Sequence, residues 1–338
     1  MPLILFLSIL SFFGCSKGND APNDIVPSNL VVNAAVSTDN SGKVNFTSTA
    51  TNAVSYDYDF GNGIYQTVAS GALTYAYPSS GNYMVKVTAK SSSGQTISKS
   101  IDVAVSVSLT LVFSDEFNTA GAPDPSKWGY DIGTGNGGWG NNELQYYTNS
   151  SDNSIVSNGT LKITAKKESF SGSAYTSARL LTKNKFSTKY GKVEVRAKLP
   201  AGTGTWPAIW MLGNNIDAVG WPACGEIDIM EHKGSDQNRV YGTLHHPGHS
   251  GANGDGGTTV ISNATTDFNI YSMEWNASVI KFSVNGNVFY SFPNNSNLPF
   301  NQNFFLILNV AMGGSFGGPV DPAFSNASME VDYVRVWN

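Results

Sequence analysis

The sequence predicts an all-β protein made of two sandwiches, a small one followed by a large one. Three observations carry this reading. The 35 glycines and 12% aromatic residues, with abundant Thr, Ser, Val and Asn, describe strands cut by frequent turns. No long stretch repeats its apolar residues at the 3.6 spacing of an amphipathic helix. All seven tryptophans, Trp128 to Trp337, and all four histidines lie after residue 110, so the composition breaks near Ser106 to Thr110. The length of 338 residues accommodates two domains, and the segment after the break can bury a sizeable core. A net charge of -5 argues against a nucleic-acid partner, because a phosphate backbone calls for a basic surface.

From the N-terminus, Leu3 to Phe13 is almost unbroken apolar sequence. It is too short to span a bilayer as a helix but long enough for the core of a signal peptide. Gly14-Cys15 followed by polar Ser16-Lys17-Gly18-Asn19-Asp20 resembles a bacterial lipoprotein signal. That resemblance implies that Cys15 is lipidated, and that the protein sits at the bacterial cell envelope with only its lipid in the membrane. Residues 16–28 are polar and read as a flexible tether. Cys224 is the one other cysteine, so no disulfide framework exists. It reads as a small half-buried side chain, because its neighbours are carboxylates rather than the electropositive groups a reactive thiol needs.

Residues 29–106 alternate in short strands, among them Val44 to Thr47, Tyr56 to Phe60, Tyr83 to Val87 and Ile101 to Val105, separated by Gly/Asn/Ser turns. This pattern suits a small β-sandwich. Tyr58-Asp59-Phe60-Gly61-Asn62-Gly63, followed by Tyr75-Ala76-Tyr77-Pro78 and Gly81-Asn82-Tyr83, resembles the PKD domain, an immunoglobulin-like module. Tyr58 stands where that module usually has Trp, and Asn62 where it has Asp. The resemblance implies a spacer or a weak glycan-contact module rather than an enzyme.

Residues 110–338 open on the alternating strand Leu111 to Phe117 and close on another, Met329 to Trp337. Two such ends are expected side by side in a sandwich. Tyr190 to Leu199 alternates apolar and charged residues, as a strand with one wet face does. The informative segment is Gly225-Glu226-Ile227-Asp228-Ile229-Met230-Glu231. A strand alternates faces, so Glu226 and Asp228 share one face and Ile227 and Ile229 the other. Strict alternation would send Glu231 inward with the isoleucines. One extra residue bulged near Met230 turns it back beside the other acids. Three acids on one face repel each other unless they are used. Paired carboxyls flanking a sugar–sugar bond are what glycoside hydrolysis requires. Just upstream, Trp206, Trp210 and Trp221 supply flat rings on which pyranose C–H faces can stack. Trp206 and Trp221, beside Gly and Pro, suit a cleft wall, while Trp210 suits core and cleft equally. His245-His246-Pro247-Gly248-His249 fits no common zinc spacing, and Pro247 and Gly248 break any helix, so these read as loop histidines.

With Trp206 to Leu212 and Asn142-Glu143-Leu144-Gln145-Tyr146-Tyr147 in order before it, the acidic run resembles glycoside hydrolase family 16, and within it the laminarinase-like endo-β-1,3-glucanases. The resemblance implies a jelly roll of two curved antiparallel sheets with a substrate groove on the concave face. It implies hydrolysis with retention, Glu226 as nucleophile, Glu231 as general acid/base and Asp228 between them as orienting carboxylate. Asn142, Arg179, Trp206, Trp210, Trp221 and His245 match positions that line sugar subsites, with Arg179 and Asn142 expected to hydrogen-bond hydroxyls. Glu231 is expected to hold its proton near neutral pH because Glu226 and Asp228 are negative beside it. No cofactor is required. One structural Ca²⁺ is implied, held by Asp332 and the carbonyls of Glu116 and Gly159. The expected partner is a β-glucan, linked β-1,3 or mixed β-1,3-1,4, and a monomer is expected. A galactan hydrolase of the same family and a non-catalytic glycan-binding protein are the alternatives. Trp221-Pro222 and Thr243-Leu244-His245 lean toward glucan, and retention of all three acids leans toward an enzyme.

Overall fold

The computed structural model describes residues 25–338. The lipoprotein signal, Cys15 and the first part of the tether lie outside the described residues. The chain divides into two compact units, residues 1–106 and 107–338.

In the first unit, Ser28–Val36, Lys43–Thr51 and Ala72–Ala76 form one sheet, and Tyr65–Val68, Ser55–Asp59, Gly81–Lys90 and Thr96–Val105 form another. Val44, Phe46, Tyr58, Phe60, Val85 and Val87 point inward from alternate strand positions and are fully buried. Tyr58 also donates its hydroxyl to the carbonyl of Gly71 at 2.6 Å. The two halves of the module's sequence pattern meet in space. Phe60 stacks on Tyr75 at 3.9 Å, and Asn62 Nδ2 donates to the Tyr75 hydroxyl at 2.9 Å.

The second unit is a sandwich of two large sheets. One is a seven-stranded sheet in the order Asp255–Val260, Arg239–His245, Glu226–His232, Thr205–Gly213, Phe304–Met312, Arg179–Leu181 and Gly129–Asp131. The opposing ten-stranded sheet includes Gly191–Lys198, whose Val193, Val195 and Ala197 are buried while its charged residues alternate outward. Leu111–Asp115 and Asn326–Trp337 pair antiparallel in that sheet, so the unit's two ends lie side by side. Helix is confined to single turns.

Alternation within the seven-stranded sheet separates core from cleft. Ile209 and Met211, Leu306, Leu308 and Val310, and Val240 and Leu244 face the ten-stranded sheet and join one hydrophobic core. The intervening residues Trp206, Ala208, Trp210, Leu212, Asn309, Tyr241, Thr243 and His245 line a cleft on the other face. Both faces of Phe304–Met312 are covered, and all nine of its residues are buried. Cys224 is buried with Leu181, Leu212, Phe305 and Ile307, deeper than the half-buried position expected. Burial there pushes its thiol up to about 11, so it is not a nucleophile at neutral pH.

Of the residues implied to hold calcium, Asp332 lies on the strand Asn326–Trp337. Asp332 is bound by Arg196, and Glu116 takes both arms of Arg335 at 2.9 and 2.8 Å. Arg196 takes only Oδ2 of Asp332, and the Glu116–Arg335 pair involves the side chain rather than the carbonyl that the site calls for.

Candidate active site

The strand Glu226–His232 carries the acids, and its register shows how they come together. Against Thr205–Gly213, Glu226 pairs Leu212, Ile227 pairs Met211 and Asp228 pairs Trp210. The register then shifts, so that Met230 pairs Ile209 and Glu231 pairs Ala208. On the other side Asp228 pairs Thr243 and Glu231 pairs Tyr241, which leaves both Ile229 and Met230 opposite the single residue Gly242. This is a β-bulge. Ile229 and Met230 both enter the core, and Glu226, Asp228 and Glu231 all line the cleft. Gly242 is required here. A Cβ at that position would lie 2.7 Å from the Phe282 ring and 3.0 Å from that of Phe289.

Each acid has its own partners. Trp221 Nε1 donates to Glu226 Oε2 at 2.9 Å. Trp206 Nε1 donates to Glu231 Oε1 at 3.0 Å and Thr243 Oγ1 to Oε2 at 3.2 Å. His245 Nε2 lies 3.2 Å from Asp228 Oδ2 and 3.8 Å from Glu226 Oε1. His245 therefore touches the acids directly and does not stand behind them. Two of the three tryptophans hold a carboxylate with their N–H while presenting a ring to the groove, and Trp221 is half exposed at its edge. Trp210 is half-buried, lines the cleft and donates to Asn309 Oδ1 at 2.7 Å.

Burial is the leading cause that raises all three carboxyls above the ordinary range. The negative charge of Asp228 adds to this at Glu226, and that of Glu231 adds to it at Asp228. The expectation that neighbouring charge alone would raise Glu231 needs correction, since loss of water is the larger cause. The cluster resists carrying three negative charges at once, which favours keeping a proton that a leaving group can take.

These raised groups also cost stability. A carboxyl raised in the folded state contributes stability that is complete below its unfolded value near ~4.3 and is lost as pH rises through its folded value. Replacing Glu231 by Gln removes that loss. Gln can still accept from Trp206. The variant's unit 107–338 is therefore expected to melt above the parent at pH 8, by about 2–4 °C for each kcal/mol recovered, with the difference closing toward pH 4. Calorimetry at both values checks this, and a variant that melts lower at pH 8 would contradict it.

Arg179 lines the cleft as expected, whereas Asn142 does not. Arg179 is 9% exposed and lies between two indole rings, 4.6 Å from the Trp139 centroid and 4.7 Å from that of Trp210. Its Nε is 3.0 Å from Asp131 Oδ2. It lines the cleft floor as a largely buried cation. Asn142 is exposed and outside the cleft lining, whereas its neighbours Asn141 and Glu143 line it.

Trp139, Glu143, Tyr241, Thr243, Asn309 and Phe316 line the cleft without having been singled out. Glu143 is a fourth, half-buried carboxyl. It accepts from Gln145 Nε2 at 2.6 Å and from the Tyr147 hydroxyl at 3.2 Å, and burial raises it too. A signal for Trp139 existed, since a lone Trp in Gly137-Gly138-Trp139-Gly140 has no strand or helix to bury it. The cleft encloses about 800 Å³. Its floor of opposed carboxyls between aromatic walls can hold a chain of sugar rings, attack an anomeric carbon and protonate the oxygen that leaves.

Comparison with known proteins agrees with this geometry. Residues 141–335 match the model of glycosyl hydrolases family 16, and residues 29–105 match that of the PKD domain. The Beta-glucanase of Rhodothermus marinus is 46% identical over 243 residues, which is 67% of this chain and 84% of that protein. Glucan endo-1,3-beta-glucosidase A1 of Niallia circulans is 41% identical over 258 residues, 68% of this chain but 38% of that longer protein. Among solved structures, the laminarinase from Rhodothermus marinus superposes with a TM-score of 0.65 at 46% identity, covering 68% of this chain and 98% of that one.

Proposed function

Because the chain belongs to glycosyl hydrolases family 16, we propose that it is a retaining endo-β-glucanase acting on β-1,3-glucan, mixed-linkage β-1,3-1,4-glucan or both. The observation that carries this reading is the bulge at Ile229 and Met230, which sets Glu231 on the same cleft face as Glu226 and Asp228. The glucanase and laminarinase relatives support glucan over galactan as substrate, and the three intact acids support catalysis over binding alone.

Hydrolysis proceeds by double displacement. The Glu226 carboxylate attacks the anomeric carbon, the glycosidic C–O bond breaks, and Glu231 gives its proton to the departing oxygen. The N–H of Trp221 and the nearby His245 and Arg179 favour the anion at Glu226. Once Glu226 is an ester, one charge is gone from the cluster and Glu231 is left as an anion. Glu231 then takes a proton from water, the water oxygen attacks the same carbon, and the ester bond breaks to release Glu226. Asp228, held by His245, keeps the nucleophile oriented. We extend the proposal to a monomer anchored at the bacterial envelope through Cys15, a placement supported by Leu3 to Phe13 and the Gly14-Cys15 that follows.

Reducing-end release from laminarin, barley β-glucan and agarose tests the assignment. Short oligosaccharides are expected from one or both glucans and none from agarose. Release from agarose alone, or retention of glucan without cleavage, would overturn it.

A further inference from the structure

Three potential metal donors lie beside the cleft and take no part in the acid chemistry. His246 Nε2 is 2.9 Å from Asp255 Oδ2, and His249 Nδ1 is 3.1 Å from the same oxygen. All three donor atoms lie within 4.8 Å of one another. A tetrahedral ion with bonds of about 2.0–2.2 Å separates its ligands by about 3.3 Å, so two of these edges are already near the required length. The local chain holds the histidines in place. Pro247 and Gly248 form a tight turn closed by His246 N to His249 O at 2.8 Å and His249 N to His246 O at 2.9 Å, with Gly248 at φ 85°, where a side chain would be strained. His246 is buried against Phe292 and Phe300, while His249 is 53% exposed on its side chain and gives an ion a way in. Asp255 begins the edge strand of the seven-stranded sheet, and its backbone is registered on Leu244. Spacing within the histidine run does not reveal this set, because its third ligand comes from the far end of the loop.

We propose that His246, His249 and Asp255 bind a divalent transition ion of the zinc class, with a fourth position open to water. Two imidazoles and a carboxylate are the donor types such ions take. The ion ties the turn 246–249 to Asp255 and so closes the base of the loop whose Gly251, Ala252 and Gly254 line the cleft. Its effect is to stiffen one wall of the groove, not to supply chemistry to the acids.

Titration of the full chain with Co²⁺, followed by Zn²⁺ competition, tests this. One Co²⁺ per chain is expected, with the strong visible absorption of a four-coordinate ion and loss of that absorption on adding Zn²⁺. His249→Ala should weaken uptake at least ~10-fold while melting like the parent without metal. Glu226→Gln should leave uptake unchanged. Absence of saturable binding, or unchanged affinity in His249→Ala, would overturn the proposal. So would loss of binding in Glu226→Gln, which would put the ion on the other donor set, Glu226, Asp228 and His245.

Discussion

Glu226→Gln is expected to lower turnover by on the order of 10⁴-fold or more on every substrate, the scale of losing a covalent nucleophile. Glu231→Gln is expected to differ by substrate. On glucan, where the leaving sugar hydroxyl needs a proton, the loss should be about 10²–10⁴-fold. On an aryl β-glucoside or laminaribioside whose phenol leaves without a proton, the first step should survive. The enzyme should then stall as a glycosyl ester, because no base activates water for the second step. A burst of one phenol per chain followed by a slow phase is the signature. On glucan, the alkaline limb of the rate, set in the parent by loss of the proton that burial retains on Glu231, should be missing in this variant. Equal and complete loss on both substrate types would remove the division of roles between the two acids.

Deletion of Met230 is expected to have the second large effect. In the bulge, Ile229 and Met230 stand opposite Gly242 and share the core side. Removing one residue restores plain alternation without shifting the register, so Glu231 follows Ile229 directly and stays on the cleft face opposite Ala208 and Tyr241. Glu226 and Asp228 keep their pairing with Leu212 and Trp210, because they precede the deletion. The variant should therefore keep its three acids on one face and retain glucan hydrolysis, losing no more than the roughly 10²-fold that a small misplacement of Glu231 costs. It should melt well below the parent, since the core loses the buried Met230 side chain at a cost of about 2–5 kcal/mol. Near-ultraviolet dichroism checks that the tryptophan environment persists. Loss of glucan hydrolysis in a folded variant that keeps the phenol burst would contradict this, by showing that Glu231 needs the bulged backbone itself.

Much of the site was legible because strand alternation is a local rule. The faces of Glu226, Asp228, Ile227 and Trp206 follow from sequence spacing, and the anomalous placing of Glu231 marks the bulge. Partnerships across the fold were not legible. Arg179 follows Ala178 in a short strand, and nothing nearby shows that Trp139 and Trp210 will enclose it or that Asp131 will meet it. A run of two asparagines before Glu143 gives no phase in an irregular loop, so the cleft-lining asparagine was misplaced by one residue, from Asn141 to Asn142. Glu143 carried no signal of its own, because its burial depends on Gln145 and Tyr147 folding back over it. The Asp332–Arg196 and Glu116–Arg335 pairs likewise join residues far apart in sequence.

The acid on which the sugar is carried is the central claim, and covalent trapping reads it directly. A 2-deoxy-2-fluoro laminaribioside with a good leaving group slows hydrolysis of the ester more than its formation. Peptide mapping by mass spectrometry should then find one fluorosugar per chain, on Glu226 within the peptide that holds all three acids. Fragmentation that places the sugar on Asp228 or Glu231, or a chain that turns over the reagent without becoming labelled, would contradict the account.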